Sequence, residues 1–314
     1  MNLYSQKYDD HHMKGSIVKM TNVAATPGAE PPAPLALAGF EESVEHHFAL
    51  NDGVRIHYAA AGAGPLLVFI HGFPDHWLTW WRQMADLRDT YRVVAMDLRG
   101  YNMSSQPTAL GSYEVARLVD DVRAVIEHDG AERASLIGHD WGGFIAWHAA
   151  MDAPELVERL VVLNMPHPWA IAREMANNPL QQKASEYVRT FVQPAAHVNL
   201  PLARLDAWVK DDAYLRPHQA AMAASSLEAM LNYYRANWPP EPYRERDDEP
   251  PHVKVATLLI HGVDDVYALP AGLNDVWQWV DDELTIVTMP RAGHFVQHDS
   301  PDRVTQAIRR WLEK

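Results

Sequence analysis

The sequence contains no cysteine, so disulfides, thiolate metal ligands and a cysteine nucleophile are excluded. It is also poor in positive charge: 27 lysines and arginines stand against 41 aspartates and glutamates, which gives a net charge of −14. Nucleic acids and anionic membranes bind basic surfaces, so neither is an expected partner. A chain without disulfides suits a reducing compartment, and we expect a cytoplasmic location.

Long hydrophobic runs are missing as well. No apolar segment approaches the roughly 20 residues that a membrane helix needs, and charged residues interrupt the N-terminal segment, which does not fit a secretory signal. A segment rich in proline, alanine and glycine follows at residues 26–39. We therefore predict that residues 1–40 are a disordered extension. Met13 and Met20 are both candidate start residues, so it stays open whether residues 1–19 belong to the natural protein.

From residue 43 onward, short apolar segments alternate with amphipathic ones. An Asn-Asp-Gly turn at residues 51–53 predicts an opening hairpin. Near-continuous apolar strands that alternate with helices predict an α/β fold, with a mostly parallel sheet covered by helices on both faces. The strand segments are 65–72, 91–100, 134–140, 159–166, 255–262 and 284–290, and the helical segments are about 77–88, 113–129, 141–152 and 302–314.

Residues 168–250 break this alternation. They contain no buried-strand segment and are instead helical in pattern and rich in aromatic residues. We predict that they form a helical lid over the carboxyl ends of the strands, where open α/β sheets bind ligands. The predicted core then comprises residues 41–167 and 251–314.

The segment Gly138-His139-Asp140-Trp141-Gly142 matches the pattern of a nucleophile on a strand-turn-helix motif, with aspartate where serine is usual. The two glycines allow a strand to turn at once into a helix, because side chains would clash there. Asp140 then lies at a helix N-terminus, whose partial positive charge favours an ionised, exposed carboxylate. The alternative is that Asp140 only caps the helix.

Three other loops, each at the end of a predicted strand, supply groups that a helix cap would not need. His294, in the segment AGHFVQHDSP, stands in the chain order of a general base. Asp265 is the preferred acid to orient it, with Asp264 as the alternative. The loop after the first parallel strand predicts an oxyanion hole made of the backbone N–H groups of Phe73 and Trp141.

Together these motifs resemble the α/β-hydrolase fold superfamily and, within it, the epoxide hydrolases of the soluble type. The resemblance covers roughly residues 43–314 and is carried by HGFPDHWLTW, MDLRGYNMSS, GHDWGG, LNYYRANW and AGHFVQHDSP. It implies two lid tyrosines that hydrogen-bond an epoxide oxygen: Tyr234 in LNYYRANW and Tyr187 in ASEYVRTFVQP. Asn102 replaces a glycine that is usual in the family, and asparagine tolerates a left-handed backbone.

The resemblance also implies a reaction in two steps. Asp140 would attack a ring carbon of a small hydrophobic epoxide while Tyr187 and Tyr234 bind the opening oxygen. His294, oriented by Asp265, would then activate water against the resulting ester. The product would be a vicinal diol, and the resemblance implies neither a cofactor nor a metal.

Two other functions use or retain the same residues. A haloalkane or haloacetate dehalogenase would share the Asp140 nucleophile, but many haloalkane dehalogenases have asparagine at the position of Phe73. Haloacetate dehalogenases typically have arginine at the position of Trp141, and their acid can follow the next strand, where this chain has Asn164. A non-catalytic receptor for hydrophobic ligands would have no use for a complete Asp–His–Asp set. The epoxide, its stereochemistry and the oligomeric state stay open.

Overall fold

Among residues 36–200 and 205–314, which a computed structural model describes, eight strands form one sheet. They are β1 (Glu45–Asn51), β2 (Val54–Ala61), β3 (Leu66–Ile70), β4 (Arg92–Met96), β5 (Ala134–His139), β6 (Val157–Leu163), β7 (Thr257–Gly262) and β8 (Leu284–Met289). Their order across the sheet is β1-β2-β4-β3-β5-β6-β7-β8. β2 pairs antiparallel with β1 and β4, and every other neighbouring pair is parallel. The predicted α/β fold with a mostly parallel sheet is confirmed.

The opening hairpin forms at the predicted Asn-Asp-Gly turn. Asp52 and Gly53 have positive φ angles of 46° and 80°, as a two-residue turn between antiparallel strands favours. The central strands β3 and β5 are buried along their whole length. This burial on both faces explains why their sequences are continuous apolar runs and not alternating ones.

Four helices of the core lie in the segments that the sequence predicted as helical. The segment predicted at 77–88 begins with a 3-10 turn, Trp77–Trp80, and only then continues as an α-helix. The α-helices of the core are α1 (Leu37–Glu41), α2 (Trp81–Leu87), α3 (Val115–His128) and α4 (Trp141–Asp152) before the lid, and α11 (Val296–Asp299) and α12 (Pro301–Leu312) after it.

Between β6 and β7, in the segment predicted as the lid, the described residues form six more α-helices. Prolines stand at the first positions of two of them, where the missing N–H costs nothing. No helix in the described part of the chain is long and apolar enough to cross a membrane. The six are α5 (Pro168–Asn177), α6 (Pro179–Ala184), α7 (Val188–Phe191), α8 (Ala196–Asn199), α9 (Asp212–Ala224) and α10 (Leu227–Asn237).

The chain enters the fold earlier than the sequence predicted. Residues 1–35 lie outside the described residues, so disorder there stays a prediction. Assigning residues 37–40 to the same extension is wrong, because they form most of α1. Leu37 and Phe40 are both buried, and the Phe40 ring lies 6.3 Å from that of Trp81. Residues three apart share a helix face, so the spacing of Leu37 and Phe40 is compatible with a short helix. The alanine- and glycine-rich composition of the segment instead favoured the prediction of disorder.

Candidate active site

Asp140 lies at a sharp turn between β5 and α4. Its backbone has φ 52° and ψ −122°, a strained conformation that is common at functional sites. A β-carbon on Gly142 would lie 2.1 Å from the carbonyl oxygen of Ile70, and one on Gly138 would lie 2.3 Å from that of Gly142. Only glycine fits at these two places, which is the steric reason that the sequence pattern indicated.

The Asp140 side chain does not cap the helix that follows it. It occupies the N-cap position of α4, yet within the described residues it accepts no hydrogen bond from the first turn. Its Oδ1 instead accepts a hydrogen bond of 2.7 Å from the N–H of Phe73. Trp141, the other predicted donor, directly follows Asp140, and a contact between its N–H and an oxyanion stays a prediction.

His294 lies between two carboxylates. Its Nε2 is 3.3 Å from Asp140 Oδ2, and its Nδ1 is 2.9 Å from Asp265 Oδ2. Asp264, the alternative acid, is exposed, whereas Asp265 is buried. The structure therefore brings together Asp140, His294 and Asp265, which come from three distant parts of the chain.

The expectation that the Asp140 carboxylate is exposed is wrong. The residue is only 8% accessible to solvent, because aromatic side chains of the lid lie above it. Tyr187 and Tyr234 line the same cavities as Asp140. The position of Asp140 at a helix N-terminus predicted that its carboxylate is ionised, but it could not predict that lid side chains bury this carboxylate.

Asp265 is held in place by donors that the sequence reasoning did not assign. Its Oδ1 accepts hydrogen bonds from the N–H groups of Tyr267 and Ala268, at 2.8 and 3.1 Å. Asn164 Nδ2 donates to Asp265 Oδ2 at 2.6 Å and to the carbonyl oxygen of Gly293 at 3.2 Å. Asn164 follows β6 directly, at the same sheet edge as Asp265. This position is the feature of the sequence from which a contact with Asp265 could have been predicted.

The three ionisable groups stabilise one another's charged forms. Burial alone would raise the pKa of Asp140, but the hydrogen bond and the charge of His294 outweigh it and lower this pKa. In Asp265, burial is outweighed by the charge of His294, and the pKa falls to about 2. Burial would lower the pKa of His294, but the charge of Asp265 and the hydrogen bond to Asp140 raise it to about 10. At neutral pH the cluster is an imidazolium between two carboxylates.

The two predicted lid tyrosines lie beside each other near Asp140. The ring centroids of Tyr187 and Tyr234 are 6.2 Å apart, and the Tyr234 ring lies 4.9 Å from that of Trp141. Burial raises the pKa of both hydroxyls, and the negative charge of Asp140 raises it further. Both hydroxyls therefore stay protonated and able to donate hydrogen bonds.

Two further residues, Tyr233 and Asn102, have structural roles. Tyr233 donates its hydroxyl hydrogen to the carbonyl oxygen of Arg99 at 2.8 Å and packs in the core. Asn102 has a φ of 40°, in the left-handed region that the usual glycine would occupy. Its Nδ2 also donates to Asp97 Oδ2 at 2.9 Å, a contact that glycine could not make.

Two cavities in the described part of the chain adjoin both Asp140 and His294, and we call them the first and the second cavity. Their volumes are about 540 and 330 Å³, and the same five residues line both: Asp140, Tyr187, Tyr234, Tyr267 and His294. Tyr267 is a residue that the sequence reasoning missed. Its ring lies 5.2 Å from that of His294 and 5.5 Å from that of Tyr187. An aromatic residue two positions after Asp265 was the only sequence signal for it.

The fold agrees with comparisons to known proteins. The family model of the alpha/beta hydrolase fold matches residues 65–301. The chain therefore belongs to the α/β-hydrolase fold family.

Similarity to individual proteins gives a narrower family. Epoxide hydrolase 3 of Xenopus tropicalis is 30% identical over 91% of this chain and 83% of its own length. The AB hydrolase superfamily protein YfhM of Bacillus subtilis (strain 168) is 32% identical over 87% of this chain and 99% of its own. The crystal structure of Bacillus megaterium epoxide hydrolase in complex with an inhibitor is similar with a TM-score of 0.80 and 30% identity, covering 85% of this chain and 100% of that one. Within the fold family, the chain belongs with the epoxide hydrolases.

Proposed function

We propose that the protein hydrolyses a small hydrophobic epoxide to a vicinal diol through an ester of Asp140. One observation carries the proposal: Asp140, His294 and the lid residues Tyr187 and Tyr234 line the same two cavities. A carboxylate suits a saturated ring carbon, because opening an epoxide requires displacement and not addition to a carbonyl. Kinship with epoxide hydrolases supports the choice of a strained ring as the electrophile.

The first step opens the ring. A carboxylate oxygen of Asp140 attacks one ring carbon, a new C–O ester bond forms, and the bond from that carbon to the epoxide oxygen breaks. The electron pair stays on the epoxide oxygen, which accepts hydrogen bonds from the hydroxyls of Tyr187 and Tyr234 as its charge develops. These two groups lower the barrier because they are already positioned and protonated in the free protein.

The second step hydrolyses the ester. Esterification removes the negative charge of Asp140, so His294 loses one of the two carboxylates that raise its pKa. Its proton passes to the alkoxide, and the neutral imidazole, oriented by Asp265, takes a proton from water. The water oxygen attacks the ester carbonyl of Asp140. The N–H of Phe73, which already donates to Oδ1, stabilises the oxyanion together with the N–H of Trp141. The bond from the acyl carbon to the substrate oxygen then breaks, and the diol leaves with a proton from His294. The Asp140 carboxylic acid returns its proton to His294, which restores the starting carboxylate and imidazolium.

A single turnover in heavy-oxygen water tests this route. Enzyme in excess over a styrene-type epoxide should give a first diol without the label, because its new oxygen comes from Asp140. The label should then appear in the Asp140 carboxylate, as peptide mass spectrometry would measure. A labelled first diol would mean direct attack by water and would contradict the mechanism.

The same assay separates epoxide hydrolysis from dehalogenation. Chlorinated and brominated alkanes run alongside would release halide if carbon–halogen bonds were the natural electrophile. The hydrogen-bond donors Tyr187 and Tyr234 suit an opening oxygen, so we expect diol formation without comparable halide release. Halide release faster than diol formation would favour the dehalogenase.

A further inference from the structure

A buried side chain of the lid bonds the loop that carries Asp265. Gln181, on α6, is fully buried. Its Nε2 donates to the carbonyl oxygen of Tyr267 at 2.6 Å, and its Oε1 accepts from the N–H of Leu269 at 2.9 Å. Among the described residues of the lid, no other side chain or backbone group forms a hydrogen bond with residues 264–269. Gln181 is therefore the point at which hydrogen bonds join the described part of the lid to this loop.

The orientation of the Gln181 amide is fixed by its partners. Tyr267 offers an acceptor and Leu269 a donor, so a reversed amide would place oxygen against oxygen and N–H against N–H. Nε2 also donates to Ser185 Oγ at 3.0 Å. A buried amide that makes all of these bonds holds both backbone groups of the loop in one position.

The backbone that Gln181 holds is the backbone that orients Asp265. The N–H groups of Tyr267 and Ala268 donate to Asp265 Oδ1 at 2.8 and 3.1 Å. The other oxygen of this carboxylate, Oδ2, lies 2.9 Å from His294 Nδ1. A shift of the loop would move both donors together, so the carboxylate would turn and the imidazole would lose its fixed orientation.

We propose that Gln181 is a positioning residue for ester hydrolysis, because its bonds to the loop keep Asp265, and thereby His294, in the orientation that activates water. This inference rests on the proposed ester of Asp140. Ring opening depends on the Asp140 carboxylate and the lid hydroxyls, whereas hydrolysis of the ester depends on the orientation of His294. Loss of the Gln181 bonds should therefore slow the second step and leave the first step intact.

Gln181→Met tests the proposal, because methionine keeps the length of the side chain and makes neither bond. Single turnovers with a styrene-type epoxide, stopped by rapid quench and read by intact mass spectrometry, measure formation and decay of the ester separately. We expect the ester to decay about tenfold more slowly, as the loss of about one buried hydrogen bond implies. The rate of ester formation should stay close to wild type, and a larger share of the protein should be esterified at steady state.

The matched control is Gln182→Met, the same substitution at the next position of α6. Gln182 Nε2 donates to the carbonyl oxygen of Met175 at 2.8 Å, a bond that stays within the lid, so both rates should remain at wild type. Unfolding curves check that each variant folds. If Gln181→Met does not fold, Gln181→Asn replaces it, because asparagine keeps an amide but draws it back from the loop by one methylene group. Ester decay should slow in the same way.

The two rates separate the possible outcomes. Ester decay at the wild-type rate in a folded Gln181 variant would mean that Asp265 does not depend on this bond, and the proposal would be wrong. Ester formation slowed as much as decay, or equal slowing by Gln182→Met, would mean that the residue supports the lid as a whole, and the proposal would again be wrong. A wild-type protein that forms no ester would instead refute the proposed function itself.

Discussion

Among the described residues, two His–Asp pairs with both members buried have an Nδ1–Oδ2 distance below 3 Å, and only one of them adjoins the candidate active site. In the site, His294 Nδ1 lies 2.9 Å from Asp265 Oδ2. In the core, His57 Nδ1 lies 2.6 Å from Asp97 Oδ2, with both side chains fully buried. Distance and burial alone would select the second pair as readily as the first.

The two pairs differ in what surrounds the free ring nitrogen. His57 Nε2 is 2.8 Å from His46 Nδ1, and the rings of His46, Phe48 and Trp77 enclose the imidazole. His294 Nε2 instead lies beside Asp140 and next to two cavities. A buried His–Asp pair is thus suited to catalysis where a nucleophile and space for a substrate adjoin it, and otherwise it cross-links the core.

Replacing the two histidines should give the largest contrast. His294→Gln should still form the ester but hydrolyse it roughly 10³-fold more slowly or worse, because no base activates water. Intact mass spectrometry after adding one equivalent of epoxide should show a protein heavier by one substrate. His57→Gln is the matched control and should accumulate no ester. Normal turnover by His294→Gln would assign the base to another group.

Removing the charge of Asp97 should affect stability and leave chemistry intact. Burial is outweighed by the hydrogen bond and charge of His57, which lower the pKa of Asp97. Asp97→Asn removes the buried charge and replaces one carboxylate oxygen by an amide NH2 group, which cannot accept hydrogen bonds from the neighbouring donors. We expect this substitution to lower the free energy of unfolding by about 3–5 kcal/mol. Urea denaturation measures this loss, and activity per folded molecule should stay close to wild type. A large drop in that activity with normal stability would mean that the core pair takes part in the reaction.

Two adjacent tyrosines extend the same contrast. Tyr234→Phe removes a hydroxyl near Asp140 and should slow ester formation by about 1–3 kcal/mol in activation free energy. Tyr233→Phe removes a hydroxyl that bonds the carbonyl of Arg99, and it should cost about 1 kcal/mol of stability with little effect on ester formation. Rapid-quench single turnovers distinguish the two, and equal rates would refute the role of Tyr234.

The charge of His294 predicts a dependence of stability on pH. Its pKa is raised to about 10 in the folded protein, from an ordinary value of about 6.5. The stabilisation is therefore complete below pH ~6.5 and is lost as pH rises through ~10. The wild-type advantage in unfolding free energy over His294→Gln should shrink by a few kcal/mol across this range. An advantage independent of pH would contradict a charged His294.

Local sequence patterns were sufficient for the sheet and for the chain order of the main site residues. Each apolar segment became a strand, and Asp140, Asp265 and His294 each follow a strand, so the sheet brings them to one edge. The turn at Asp140 was predictable because its glycines have a steric cause that acts within a few residues.

Contacts between distant segments were not predictable in this way. The burial of Asp140 depends on lid residues far along the chain, and the bond from Asn164 to Asp265 spans 101 positions. Tyr267 lines both cavities with its ring, and the hydrophobic periodicity of the sequence does not predict where the ring of a loop residue lies. The burial of Phe40 was missed for a different reason. Leu37 and Phe40 are only two apolar residues at helical spacing, and the proline-, alanine- and glycine-rich composition around them indicated disorder.

The direct pairing of β6 with β7, in which Leu163 lies beside Ile260, has a consequence for how this protein could diversify. The lid leaves and re-enters the sheet at neighbouring strands, so its length and sequence can vary while the sheet register stays the same. Most residues that line only the first cavity, and many that line only the second, belong to this inserted stretch. The residues that line the cavities therefore lie largely in the lid, whereas Asp140, Asp265 and His294 belong to the core. Apart from Gln181, the lid around Tyr187 and Tyr234 can change without altering these three groups.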